Sequence, residues 1–249
     1  MLKKRVIPIV LLDGFSVLKT INFDVRRNLG SPVTVMRTYN TRNVDEMIIL
    51  DIDASKYDRP IDKFIIKEIS SDCFMPLTIG GGIKTCNDIE SLLKSGADKV
   101  SINSYSYKNP SFIKEAAENF GSQCIVASVD CIKEGDSFFP YCNKDVLYDI
   151  NLFDWLLTLQ DLGAGEILIN DVSKDGTMSG CNIHLAKSVT NILKVPVIFS
   201  GGVDSAENVA ELIKDGGVDA AGVSSIFHFT EITPNDCRKA LKDIGIPAR

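Results

Sequence analysis

Histidine and tryptophan are nearly absent from this chain, with two of the first and one of the second in 249 residues. Two imidazoles and seven cysteines (73, 86, 124, 131, 142, 181 and 237), with no C-x-x-C pair and no cluster, leave no ligand set for zinc. Odd in number and scattered through apolar runs, the cysteines read as reduced thiols of a cytosolic protein. Basic residues are in deficit. Twenty-seven Lys and Arg against 33 Asp and Glu leave a net charge of −6, which argues against nucleic acid as the main partner. An anionic ligand must then be held locally, by backbone amides and a few cations. Long apolar runs are missing as well. The opening MLKKRVIPIVLL imitates a signal peptide, but its run spans only Val6 to Leu12, contains Pro8 and ends in Asp13-Gly14 without a small-residue cleavage site. It reads as a first strand of a cytoplasmic protein, and no run approaches membrane-spanning length. Linkers and low-complexity segments are absent too, so the expectation is one domain over residues 1–249, long enough to bury a sizeable core. No metal or organic cofactor is implied.

What is present is a rhythm. Eight short runs rich in Val, Ile and Leu recur at Arg5–Leu12, Glu46–Asp51, Pro76–Ile79, Lys99–Ile102, Cys124–Val129, Glu166–Asn170, Pro196–Ser200 and Ala220–Ser224. Most are continuously apolar rather than alternating, as parallel strands buried on both faces require. Amphipathic segments lie between them, among them Asn87–Gly96, Phe112–Gly121 and Ser205–Gly217. Asn87 or Asp88 is the expected cap at the start of the first of these, and Gly96 at its end. A second pattern overlies the first. Pro76 and Pro196, Gly81 and Gly201, Gly82 and Gly202, and Glu46 and Glu166 are each 120 residues apart. Eight β–α units with a half-length repeat predict an α/β fold, a single (βα)8 TIM barrel made of two equivalent half-barrels. An open doubly wound sheet would not account for the shared offset. The longest irregular stretches, Asp13–Ser31 and Cys131–Asn151, follow strands one and five and occupy equivalent places in the halves.

In such a barrel the C-terminal strand ends carry chemistry and the N-terminal ends carry stability. Gly81 and Gly82, followed one unit later by Asn103 and Ser104, form one small polar cluster on the active face. Gly201 and Gly202, followed by Ser224 and Ser225, form its repeat, and Asp175-Gly176 lies nearby. Either pair could be a simple turn; the duplicated arrangement points to two phosphate sites and a ligand phosphorylated at both ends. Asp130, ending IVASV, is either a solvated loop carboxylate or a general acid/base. Asp13 is a weaker candidate because Asp-Gly after a strand is a common turn former, and Lys19 either neutralises ligand charge or is simply solvated. His184 and His228 receive no catalytic role. At the opposite end Arg5, Glu46, Lys99 and Glu166 open strands one, two, four and six, so they converge on the barrel floor.

These residues resemble, over the whole chain, the cyclase subunit of imidazole glycerol phosphate synthase, a glutamine amidotransferase of histidine biosynthesis. The resemblance rests on Arg5-Val6-Ile7-Pro8, Lys19 with Asn22-Phe23, LDIDAS (50–55), PLTIGGGI, ADKVSIN, FGSQCIV, Asp130, GAGEIL, KDGT (174–177), PVIFSGGV and SIFHF. It implies a barrel that binds a bisphosphorylated ribosyl-aminoimidazole. It also implies a glutaminase docked at the barrel bottom as a heterodimer, releasing ammonia that crosses the barrel to the active face. Arg5, Glu46, Lys99 and Glu166 then match the family's ammonia gate one for one, and Asp98 falls on the docking face.

One departure is large. The family has Pro-Cys-Leu-Asp-x-x-Asp-Gly in strand one, whose first Asp is the catalytic partner of the residue matching Asp130. Here the stretch is Pro8-Ile9-Val10-Leu11-Leu12-Asp13-Gly14, and that catalytic position falls on Leu11. Asp13 matches the second, non-catalytic Asp, though its parity equals that of Leu11, roughly 7 Å further along the strand. LLDGFSVLKTINF, LGSPVTVMRTYN and LDIDASKYDRP look more like a divergent branch associated with bacterial surface polysaccharides. That branch implies a barrel working with a glutaminase and a sugar amidotransferase to amidate a sugar. Three readings follow: an ammonia-channelling subunit for sugar amidation, a genuine cyclase using Asp130 with Asp13, and a non-catalytic activator of the glutaminase.

Overall fold

The apolar runs become eight parallel strands: β1 Arg5–Leu12, β2 Met47–Asp51, β3 Leu77–Gly80, β4 Lys99–Ile102, β5 Ile125–Glu134, β6 Glu166–Asp171, β7 Val197–Ser200 and β8 Ala220–Val223. They come from a computed structural model of the chain that describes residues 3–42 and 44–249. Each strand pairs in parallel with the next, and β8 pairs with β1 through Arg5↔Ala220 and Ile7↔Gly222, so the sheet closes into a (βα)8 barrel. The strands are apolar on both faces because both are buried. Val6, Val10, Leu12, Met47 and Ile49 pack outward into the large core under the helices. Ile7, Ile9, Leu11, Ile48, Val126, Leu168 and Ile198 form a second, separate core inside the barrel.

Eight helices of at least nine residues lie outside it among the described residues: α1 Pro32–Thr41, α2 Lys63–Ser71, α3 Cys86–Lys94, α4 Ser111–Phe120, α5 Leu152–Asp161, α6 Ile183–Ile192, α7 Ala206–Lys214 and α8 Pro234–Asp243. The cap expected at Asn87 or Asp88 lies earlier. Thr85 caps α3, accepting from the Asp88 N–H while Asp88 reaches back to the Thr85 N–H, a reciprocal pair that satisfies two orphan donors. Asp88 is the third residue of the helix and the far member of that box, which explains why it stood out. None of these helices is long and apolar enough to cross a membrane.

The stretches expected to be irregular are β-hairpins. After β1, Val17–Ile21 turns back against Leu11–Leu12 and then pairs with Val25–Gly30. After β5, whose strand runs on to Glu134, Ser137–Cys142 folds back so that Tyr141 lies opposite Asp130. The first hairpin turns through Asn22-Phe23, both left-handed, and the second through Gly135-Asp136, with Gly135 at positive φ. A further left-handed pair, Asn143-Lys144, joins Ser137–Cys142 to Asp145–Val146. Such pairs match the right-handed twist of a two-stranded ribbon.

The half-barrel repeat extends to backbone detail. Short helices Ser104–Lys108 and Ser225–Phe229 follow β4 and β8. Asp98 accepts from the Leu77 N–H at 2.8 Å, and Asp219 accepts from the Val197 N–H at 3.1 Å. Gly81 and Gly201 both have positive φ, and a Cβ on either would lie 2.8 Å from the Asp51 carbonyl oxygen or 2.6 Å from that of Asp171. Gly201→Ala and Gly81→Ala should therefore each cost about 3–5 kcal/mol, since the backbone in the way cannot swing aside. Urea unfolding should show the same loss of midpoint in both variants; a loss under about 1 kcal/mol in either refutes the close approach.

Candidate active site

The C-terminal strand ends surround a cavity of about 820 Å³ roofed by the first hairpin. Its two flanks repeat one another. Gly81, Gly82, Asn103 and Ser104 line it from β3 and β4, and Gly201, Gly202, Ser224 and Ser225 line it from β7 and β8, four strands away around the barrel. At equivalent places Asn103 Oδ1 and Ser224 Oγ are buried with no partner among the described residues. Each is a polar atom that only a ligand or water can satisfy.

Asp130 lines the same cavity between these flanks. Asn103 Nδ2 donates to its Oδ2 at 2.7 Å, and Asn170 Nδ2 donates to its Oδ1 at 3.4 Å. Burial pushes its carboxyl up to about 6, opposed by the two amide donors and reinforced by the charge of Asp175. A carboxyl with that midpoint exchanges protons near neutral pH, as a general acid or base must. Opposite, Ile9, Leu11, Leu50 and Ile52 make an apolar strip from β1 and β2, with Leu11 beside Leu50 in register. Asp51 and Asp53, which also line the cavity there, are engaged by Arg59 and Arg26.

Asp13 lies elsewhere. Its Oδ1 accepts from the backbone N–H of Phe15 at 3.1 Å and of Ser16 at 2.8 Å, closing its own turn, and it is not among the residues lining the cavity. Lys19 does line the cavity, but its Nζ donates to Asp175 Oδ1 at 2.9 Å and the pair is buried. Thr20 Oγ1 donates to the other oxygen of Asp175 at 2.6 Å. Lys19 and Asp175 thus engage each other and hold the hairpin over the cavity beside Gly176, and a second clasp joins Arg26 to both oxygens of Asp53 at 2.6 and 2.7 Å. His184 is exposed on α6, and His228 packs beneath the site against Tyr39, with burial pushing its imidazole down to about 4.

At the other end of the barrel the four converging charges form a closed ring. Arg5 Nη1 donates to Glu46 Oε2 at 2.8 Å and to Glu166 Oε1 at 3.0 Å. Lys99 Nζ donates to Glu46 Oε1 at 2.8 Å and to Glu166 Oε2 at 3.1 Å. Burial disfavours the Glu46 charge, but Arg5 and Lys99 outweigh it and hold that carboxyl below its ordinary range. Between ring and cavity lie Ile7, Ile48, Val126 and Ile198. Asp98 is exposed on the same end, next to the ring in sequence.

Residues missed in the sequence are Asn170, Ser200, Ser128 and Ser101, which line the cavity opposite the apolar wall. Side-chain parity would have found them, because Asp130 and Asn170 are direct neighbours in the β5–β6 register and Asn170 and Ser200 in the β6–β7 register.

A family model described as Histidine biosynthesis protein matches residues 5–233. The chain is 43% identical over 249 residues to a protein of Campylobacter jejuni subsp. jejuni serotype O:2 that is provisionally named imidazole glycerol phosphate synthase subunit hisF2, with 100% of this chain and 99% of that protein covered. Barrel, cavity and full-length likeness agree: the chain belongs to the histidine-biosynthesis protein family and is similar to the cyclase subunit of imidazole glycerol phosphate synthase.

Proposed function

We propose that this chain is the ammonia-channelling, phosphate-binding barrel subunit of a glutamine-dependent amidotransferase, acting in the cytoplasm in the amidation of a bacterial surface sugar. A glutaminase docks on the barrel floor, where Asp98 is exposed; the Arg5–Glu46–Lys99–Glu166 ring is the entrance for its ammonia, and a sugar amidotransferase uses that ammonia. The glycine and serine flanks hold the two ends of a bisphosphorylated ligand. The observation that carries this reading is the asymmetry of the cavity, with Asp130 on one wall and Leu11 on the other. Ring and flanks are kept while half of an acid/base pair is replaced by an apolar side chain. Proton transfer in opposite senses needs two groups, and removal of one costs about 10²–10⁴ in rate.

A genuine cyclase would need Asp13 to serve as the second group. Its carboxylate closes the Phe15–Ser16 turn instead. The test supplies the family's bisphosphorylated ribosyl-aminoimidazole with ammonium salt, bypassing any glutaminase, and compares the chain with its Asp13→Asn variant. The expected outcome is very slow turnover that Asp13→Asn leaves within about twofold, because asparagine keeps the turn's acceptor oxygen. Turnover at rates usual for enzymes, about 1 s⁻¹ or more, lost in Asp13→Asn, would establish the cyclase instead. The non-catalytic activator reading would stand if the chain raised glutaminase activity, even as Asp130→Asn, and no amidated product ever formed.

A further inference from the structure

The environment of Asp130 is built across three neighbouring strands. Asn170 lies opposite Asp130 in the β5–β6 register, and Ser200 lies opposite Asn170 in the β6–β7 register. Ser200 Oγ donates to Asn170 Oδ1 at 2.8 Å and approaches the Ile169 carbonyl at 3.3 Å. An amide whose oxygen is engaged on one side presents its NH2 on the other, so Ser200 decides that Asn170 offers Asp130 a donor and not an acceptor. Asn103 supplies the second donor from β4. Each carboxylate oxygen therefore meets one amide, and neither receives a hydrogen bond from a cation among the described residues.

The other ionisable groups that feel Asp130 give its charge little help. Asp175 faces it from the loop after β6, Tyr107 from the short helix after β4, Tyr141 and Cys142 from the hairpin, and Cys131 follows it in β5. Among the cations that line the cavity, Lys19 is occupied by Asp175, Arg26 by Asp53, and Lys144 lies 3.6 Å from Asp24. The amide dipoles are what favour the anion against burial.

We infer that Asn170, oriented by Ser200, is a positioning residue that fixes the Asp130 carboxylate in one orientation and sets its proton affinity. This rests on the reading of Asp130 as the proton-transfer group of the cavity. With leucine in place of a second acid, Asp130 is the one member of the acid/base pair that remains, and it can give or take a proton only if its midpoint stays near working pH. A two-link chain of neutral groups achieves that without adding a charge that would compete for a phosphorylated ligand.

The test titrates Asp130 by carbon NMR in the full chain carrying carboxyl-labelled aspartate, with Asp130→Asn identifying the signal. Asn170→Ala should raise the midpoint by about half a pH unit, less than a full charge-assisted donor because the bond is 3.4 Å long. Ser200→Ala should raise it by a smaller step in the same direction, and Ser200→Thr, which keeps the hydroxyl, should restore the wild-type value. An unmoved or lowered midpoint in folded Asn170→Ala overturns the inference. A rise there with none in Ser200→Ala removes Ser200 from the role. If Asn170→Ala does not fold, the Ser200 pair decides alone, a rise in Ser200→Ala reversed in Ser200→Thr supporting the chain and no rise refuting it. The readout needs no turnover, so it stands apart from whether the barrel cyclises, channels or only activates. Failure of the reading of Asp130 as a proton-transfer group would appear instead as Asp130→Asn leaving turnover unchanged, with the titration shifts intact.

Discussion

Leu11→Asp is expected to raise ammonium-driven cyclisation of the family's bisphosphorylated ribosyl-aminoimidazole by about 10²–10⁴-fold, the usual contribution of one positioned acid or base. The geometry allows it. Leu11 points into the barrel, is 8% exposed and lines the cavity that holds Asp130. A carboxyl there would stand against Ile9, Leu50 and Ile52, so burial would raise its pKa and make it a proton donor near neutral pH. The pH dependence gives a second signature. With Asp130 alone, the rate should follow one ionisation near its midpoint of about 6. With two carboxyls it should become bell-shaped. Replacing a buried leucine by a polar group costs stability, about 2–5 kcal/mol, so circular dichroism must show a folded variant. Leu11→Asn is the control, similar in polarity and unable to transfer a proton. No gain in folded Leu11→Asp, or an equal gain in Leu11→Asn, would show that the missing acid is not what limits the reaction.

The barrel was legible because its strands are buried twice over. Continuous Val, Ile and Leu in eight runs left few other architectures, and the 120-residue echo of PLTIGGGI in PVIFSGGV located both cavity flanks. The ring was legible for the opposite reason: Arg5, Glu46, Lys99 and Glu166 are charges at the starts of apolar strands, where only mutual pairing makes them tolerable. The hairpins were missed for different reasons. The first turns at Asn22-Phe23, with Phe23 at φ 60, far from the Asn-Gly signal of such turns. The second turns at Gly135-Asp136, a two-residue pair that the sequence did display. Asn170 escaped because the adjacent Asp171 carries the charge that draws notice. Asp171 is turned away from Asp130, its carboxylate accepting from the Ser173 N–H and from Asn182, while the neutral residue before it faces Asp130. The role of Lys19 looked open from sequence because its partner Asp175 is 156 residues away.

Lys99→Ala should separate the two uses of nitrogen. Lys99 is one of two cations in a ring whose acids are the buried Glu46, at 2% exposure, and the half-buried Glu166. Removing it leaves Arg5 as the one ring cation between Glu46 and Glu166, an uncompensated negative charge at the barrel floor. Breaking a buried pair in this way costs about 3–5 kcal/mol, measurable as a lower urea midpoint. The pH dependence has a definite sign. Glu46 is disfavoured by burial and favoured more strongly by Arg5 and Lys99, so its folded pKa lies below its unfolded one. The stability it contributes is fully present above the unfolded value and is lost as pH falls through the folded value. Without Lys99 the depression weakens, Glu46 takes its proton at a higher pH, and acid unfolding should begin earlier than in the parent. For function, the cavity and Asp130 lie at the other end of the barrel and keep their geometry, so ammonium-driven turnover should stay within about twofold. Glutamine-driven turnover should fall by about tenfold, as a weakening of ~1.4 kcal/mol in docking or passage would produce. Lys99→Met keeps the length of the stem but not the charge, and should give the same functional split with less loss of packing. Equal losses with glutamine and with ammonium in both variants would mean that the ring only holds the barrel together and does not admit ammonia.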